Sequence, residues 1–143
     1  MILYLDTSAI VKLYAQEAGS NIIRQAIVDA ELLATSLLSY PETRSALARK
    51  ARGGEITRTD LTIYRHEFER DWQRLYRLPI DATLIRRAGD LAEEHALRAF
   101  DALHLAAADS FQAAMRAPVL FACFDTALNR AALLRGLRTL TQA

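Results

Sequence analysis

Of the seventeen acidic residues in this 143-residue chain, four stand alone in apolar company. Asp6 is the only acid between Met1 and Gln16, and Glu42 is the only one from Leu32 to Gly54. Asp101 is alone from His95 to Ala108, and Asp125 is alone from Ser110 to the C-terminus. The other acids sit in polar stretches, such as Glu93-Glu94 or the Glu67, Glu69 and Asp71 that alternate with arginines. An ionised carboxylate among apolar neighbours is costly unless it is paired, hydrogen-bonded or bound to a metal. If the four converge, each pair repels by roughly 4 kcal/mol at about 4 Å and an effective dielectric of about 20. A divalent cation removes that repulsion. Oxygen donors, with no cysteine or histidine pairing at zinc spacing, favour Mg²⁺ or Mn²⁺. Such a site suits phosphodiester hydrolysis, because the metal acidifies a bound water and offsets charge that builds on the phosphate.

Each acid also has a purely structural reading. Asp6, Asp101 and Asp125 are placed to cap helices or to meet the dipole in a first turn. Glu42 completes a Ser-x-x-Glu capping box with Ser39. The functional reading rests on four coincidences at compatible places.

The elements that would position these acids alternate in type. Ile2 to Leu5 reads as a buried strand, followed by a helix from about Thr7 and another from about Ser20, after Gly19. Leu32 to Ala34 is a second strand. Ser39 to Arg52 is a helix that Gly53-Gly54 stops. Thr59 to Tyr76 is expected to be one long amphipathic helix, with Leu61, Tyr64, Phe68, Trp72 and Leu75 on a single stripe. Leu78-Pro79-Ile80 reads as extended, and Asp81 caps a helix to about His95. An apolar helix over Phe100 to Met115, a strand over Val119 to Phe121, a helix begun by Asp125 and a strand over Leu137 to Leu140 complete the order. Alternating strands and helices predict an α/β sandwich with a mostly parallel sheet. Ligands in such folds lie beyond the carboxyl ends of the strands, where Asp6 and Asp125 fall.

Length and a 52% hydrophobic content fit one compact domain over residues 1–143. The net charge of +1 excludes nothing, since segregated charge can still bind nucleic acid. Lys12 and Lys50 are the only lysines, so the basic side chains are overwhelmingly arginine, whose planar fork matches phosphate. A GC-rich coding sequence gives the same bias. A lone cysteine, Cys123, rules out an intrachain disulfide and fits a reducing compartment. No run is long enough to span a membrane, and no secretory signal is seen, so a cytoplasmic location is expected.

The chain resembles the PIN-domain family, in its VapC toxin branch, over nearly its whole length. Tyr4-Leu5-Asp6-Thr7-Ser8-Ala9 resembles the opening strand and first acidic site. Ser39 to Leu47, with Pro41-Glu42-Thr43-Arg44, resembles the second. Leu97 to Ala106, with Phe100-Asp101-Ala102-Leu103-His104, is the most telling and resembles the third. Phe124-Asp125-Thr126-Ala127-Leu128, with Ala131-Ala132 and Gly136-Leu137 beyond, resembles the fourth. The resemblance implies a three-layer α/β/α sandwich and a Mg²⁺- or Mn²⁺-dependent endoribonuclease leaving a 5′ phosphate and a 3′ hydroxyl. It implies an RNA substrate, a protein antitoxin and commonly a homodimer. It carries over Asp6, Glu42, Asp101 and Asp125 as catalytic, metal-binding acids, Asp125 often acting through water. One departure is Cys123, where the family frequently has threonine two residues before the fourth acid.

Supporting residues divide between two roles. Thr7 and Ser8 are placed either to bond a ligating carboxylate or the phosphate, or to start a helix. His104 lies one turn after Asp101 on the same face, where a core histidine with one satisfied hydrogen bond is the favoured reading. His66 and His95 read as surface residues. Lys12, Arg44, Arg49 and Arg98 lie near the acids and are candidates for the RNA backbone, with surface ion pairs as the default. The aromatic stripe reads as core, with a dimer or antitoxin surface as the other options. Three rivals stand beside the nuclease. A haloacid-dehalogenase-type phosphatase needs a second Asp at the position of Ser8. A receiver domain usually carries paired early acids and a late lysine, whereas no lysine follows Lys50. A catalytically weak PIN-like binding module is the third.

Overall fold

The computed structural model describes residues 1–141. Gln142 and Ala143, the end of the expected domain, lie outside the described residues. The elements run β1 (Ile2–Leu5), α1 (Thr7–Val11), α2 (Ser20–Asp29), β2 (Leu32–Ser36), α3 (Ser39–Arg52) and α4 (Arg58–Trp72). They continue with β3 (Tyr76–Leu78), α5 (Ala82–His95), α6 (Ala99–Met115), β4 (Val119–Ala122), α7 (Thr126–Leu134) and β5 (Arg138–Thr139). The strands form one sheet in the order β3-β2-β1-β4-β5, and every pairing among the described residues is parallel.

Strand periodicity sorts the core into two halves. Successive side chains of a strand point to opposite faces. Ile2, Tyr4, Val119 and Phe121 therefore pack with α5, α6 and α7, alongside Leu91, Leu105, Ala108 and Leu128. Leu3, Leu5 and Ala122 point the other way, onto Ile10, Ile23, Leu47, Phe68 and Trp72 of α1 to α4. The result is a helix–sheet–helix sandwich. A strand buried on both faces must be apolar throughout, as β1 is. The many alanines of α6 let it lie close on the sheet, and Ala102, Ala106 and Ala108 are fully buried.

One expected element is shorter than its pattern. α4 stops at Trp72, and Tyr76, expected as its last residue, begins β3. Two local causes explain this. Pro79 disfavours a helical conformation at Leu78, and β2 offers a free ladder edge that pairs Ala34 with Tyr76 and Ser36 with Leu78. The expected extended run at Leu78-Pro79-Ile80 is displaced two residues upstream for the same reason. Phe68 and Trp72 are core, while Leu61, Tyr64 and Leu75 pack against them partly buried.

Candidate metal and RNA site

The strand order reverses between β1 and β4, which leaves a crevice at their carboxyl ends. β1 ends at Leu5 and delivers Asp6 there, and β4 ends at Ala122, three residues before Asp125. Glu42 enters in the first turn of α3 and Asp101 in the first turn of α6. The four expected acids thus come from four segments far apart in sequence. Their charges are felt in common. Asp6 and Asp101 repel one another, the buried Tyr4 feels Asp6 and Glu42, and Arg98 feels Asp101 and Asp125.

Each carboxylate is held differently. Asp6 is 4% exposed and caps α1, accepting from the Ala9 N–H at 2.9 Å and the Ser8 hydroxyl at 2.7 Å. Burial lifts its carboxyl above the ordinary range and Asp101 adds to this, against the pull of His104, Ser8 and the Ala9 N–H. Asp125 caps α7 through the Leu128 N–H at 2.8 Å. Asp101 takes Arg98 at 3.1 Å. So the helix-cap reading holds for Asp6 and Asp125, and it does not exclude the other one.

Glu42 departs from its structural reading. The Ser39 capping box does not form: Leu38 is the N-cap, without a side-chain cap bond, and Ser39 is fully buried with its hydroxyl 2.6 Å from that of Thr35. Glu42 instead reaches across to Thr7 at 2.6 Å and His104 at 2.8 Å. Burial works to raise the Glu42 carboxyl, but His104 and Thr7 outweigh it and hold it below its usual range. Its charge therefore persists at the crevice.

His104 engages one ring nitrogen more than the sequence reading expects. It is buried as expected, yet both ring nitrogens are engaged, Nδ1 with the Tyr4 hydroxyl at 2.8 Å and Nε2 with Glu42. Its i+3 spacing from Asp101 on one helix face was the available signal. His95 was read as surface, but its side chain is only 10% exposed because it lies inward at the end of α5. Cys123 is buried with its thiol pushed well up by burial, so it stays protonated beside the Asp125 backbone.

A cleft of about 600 Å³ has Glu42 in its wall, with Thr7, Ser8, Arg49, Arg98 and Phe100, while Asp6, Asp101 and Asp125 do not line it. Of the four candidate cations, Arg49 and Arg98 line it. Lys12 is tied to Glu17 at 2.9 Å and lies over the Phe124 ring, and Arg44 pairs with Glu69. Phe100 was not singled out by sequence. It is 55% exposed on the cleft wall and offers a flat face to a base.

The residues fit a hard divalent cation in their chemistry. The donors are carboxylate oxygens, and Asp6 is a buried carboxylate with a second acid repelling it. Among the described residues no three acid, histidine or cysteine side chains already stand as a ligand cluster. Each acid is parked on a protein donor instead, as the hydrogen bonds above record.

Comparison with known proteins gives a consistent result. Residues 3–134 match the family model described as PIN domain. Ribonucleases VapC45 and VapC49, each from a strain of Mycobacterium tuberculosis, are 38% identical over 107 residues, covering 75% of this chain and 74% of each relative. Among solved structures, FitAcB from Neisseria gonorrhoeae superposes with a TM-score of 0.67 at 16% identity, over 99% of this chain and 97% of that one. A toxin–antitoxin complex from Klebsiella pneumoniae gives 0.67 at 17% identity, over 99% of both chains. At such low identity the structural likeness speaks for the fold alone.

Proposed function

Because the chain belongs to the PIN-domain family, in its VapC-type branch, we propose that it is an endoribonuclease and the toxin of a toxin–antitoxin pair. The observation that supports the reading most is Glu42, drawn out of its expected cap to Thr7 and His104, while Asp6 and Asp101 are near enough to repel one another. The names of the relatives supply RNA as the substrate, and the named toxin–antitoxin complex supports a protein antitoxin as partner.

In this reading Asp6, Asp101, Glu42 and Asp125 hold Mg²⁺ or Mn²⁺, Asp125 through water. The bound cation would supply a water of lowered pKa and offset charge on the phosphate oxygens. The chain's own residues do the rest. Ser8 and the Ala9 N–H fix the Asp6 carboxylate, so its lone pairs stay aimed without reorganisation. Arg49 and Arg98 meet backbone phosphates on the cleft wall, where cations supply most of the affinity for RNA. Phe100 stacks on an unpaired base beside the cut, a contact open to any base. The phosphatase rival loses its support, since Ser8 spends its hydroxyl on Asp6 where that chemistry needs a second acid.

Incubation of the purified chain with total RNA, in Mg²⁺, in Mn²⁺ and in EDTA, tests the reading. Discrete fragments that need the metal and vanish in Asp101→Asn are expected. Cleavage that survives EDTA or the substitution overturns the acidic-site mechanism. Homodimerisation, the remaining expectation, is read by sedimentation of the same preparation.

A further inference from the structure

Tyr4, His104, Glu42 and Thr7 form a chain of hydrogen bonds whose direction is fixed by its carboxylate end. The Tyr4 ring is fully buried, and burial first, then the nearby Asp6 and Glu42, push its hydroxyl far above the ordinary range, so it keeps its proton. A carboxylate only accepts, so His104 donates to Glu42 from Nε2 and is left with Nδ1 as an acceptor. The phenol O–H donates to His104 Nδ1, 2.8 Å away. With Nδ1 acting as acceptor, the neutral ring carries its hydrogen on Nε2, which donates to Glu42 Oε1 at 2.8 Å. Thr7 donates to the same oxygen at 2.6 Å. Both bonds fall on Oε1, and among the described residues Oε2 has no hydrogen-bond partner, while Glu42 lines the cleft.

We propose that His104 is a positioning residue for the ribonuclease, its Tyr4-oriented ring and Thr7 together holding one oxygen of Glu42 so that the other is presented to the cation. The proposal rests on the reading of Glu42 as a cation-holding acid. It assigns a task to a histidine that composition and spacing leave in the core. The arrangement is that of a ligand held by an outer hydrogen-bonding partner, whose loss usually weakens metal binding by roughly 10- to 100-fold.

Four variants separate the possibilities: His104→Leu, His104→Gln, Tyr4→Phe and Glu42→Gln. Mn²⁺ affinity is measured by calorimetry and by the electron paramagnetic resonance of free Mn²⁺, alongside kcat and KM on a cleaved RNA and a thermal melt. His104→Leu is expected to raise the Mn²⁺ Kd by roughly tenfold or more and to lower kcat with the RNA KM unchanged. His104→Gln, whose amide N–H reaches the position of Nε2, restores most of both. Tyr4→Phe, which keeps the ring but frees its tautomer, gives a smaller loss of the same kind. Native or tighter Mn²⁺ binding by His104→Leu, or a well-folded His104→Gln that rescues nothing, overturns the proposal. If His104→Leu fails to fold, His104→Gln and Tyr4→Phe decide it: native Mn²⁺ affinity in Tyr4→Phe overturns it, and a weakened one restored towards native in His104→Gln supports it. Glu42→Gln is the control on the premise. Unchanged Mn²⁺ binding in that variant sinks the reading of Glu42, whereas weakened binding there with native binding in His104→Leu sinks only the role of the histidine.

Discussion

Asp101 is the clearest test of chemistry at a single residue, because it neither caps a helix nor anchors the core. Asp101→Asn keeps the side chain's shape and is expected to leave the melting temperature within a few degrees while lowering cleavage by at least about 100-fold, the scale of losing one metal-directed charge. Asp6 is a poorer probe, since its carboxylate also caps α1. Phe100 gives a second result at this scale. Phe100→Ala should raise the RNA KM several-fold and Phe100→Trp should not, because stacking of a base on an aromatic face contributes about 1–3 kcal/mol. Melting of both should match the native chain, as the ring is exposed. The acids stand out in the sequence because each is isolated among apolar residues. His104 does not, since a buried histidine and a hydrogen-bonded positioning histidine share one sequence pattern, and only the distance to Glu42 tells them apart.

Between elements, most boundaries could be read from local signals, and the exceptions have local causes. Asp81 and the Gly53-Gly54 stop place α5 and α3 as expected. The end of α4 could not be read, because the stripe through Leu75 continues at helical spacing while β2 competes for the same backbone. Ser39 misled for a related reason: its hydroxyl is satisfied by Thr35, a partner a local motif does not contain. Two predictions belong here. Asp109 of α6 binds Arg87 of α5 and Arg135 after α7, so Asp109→Ala strands two arginines at one buried spot. The arginines are partly exposed, which reduces the penalty to about 1–3 kcal/mol in urea unfolding, with cleavage by the folded fraction unchanged. Gly19 sits at φ +93°, and an added Cβ would lie 2.5 Å from the Phe124 ring. Gly19→Ala should cost about 1–3 kcal/mol, and the displaced Phe124 should lower activity as well, since it precedes Asp125.

For the molecule as a whole, pH response separates stability from catalysis. Burial would raise the Glu17 carboxyl, but Lys50 and Lys12 outweigh it and hold it below the ordinary carboxylate range. A depressed folded-state pKa contributes stability that is present above the unfolded value and is lost as pH falls through the folded one. Glu17→Gln should therefore flatten the acid limb of the stability curve below about pH 4.5, measured by urea midpoints, without moving the neutral-pH cleavage rate. The sheet order has a further consequence, for the timing of synthesis. β1 is made first, but its second neighbour β4 begins only at Val119. A chain still emerging from the ribosome therefore carries Asp6, Glu42 and Asp101 with one edge of its central strand open and Asp125 not yet made. That edge of the central strand closes only once β4 is available to pair with β1, so the four acids cannot be held around one crevice before Val119 to Asp125 have been made.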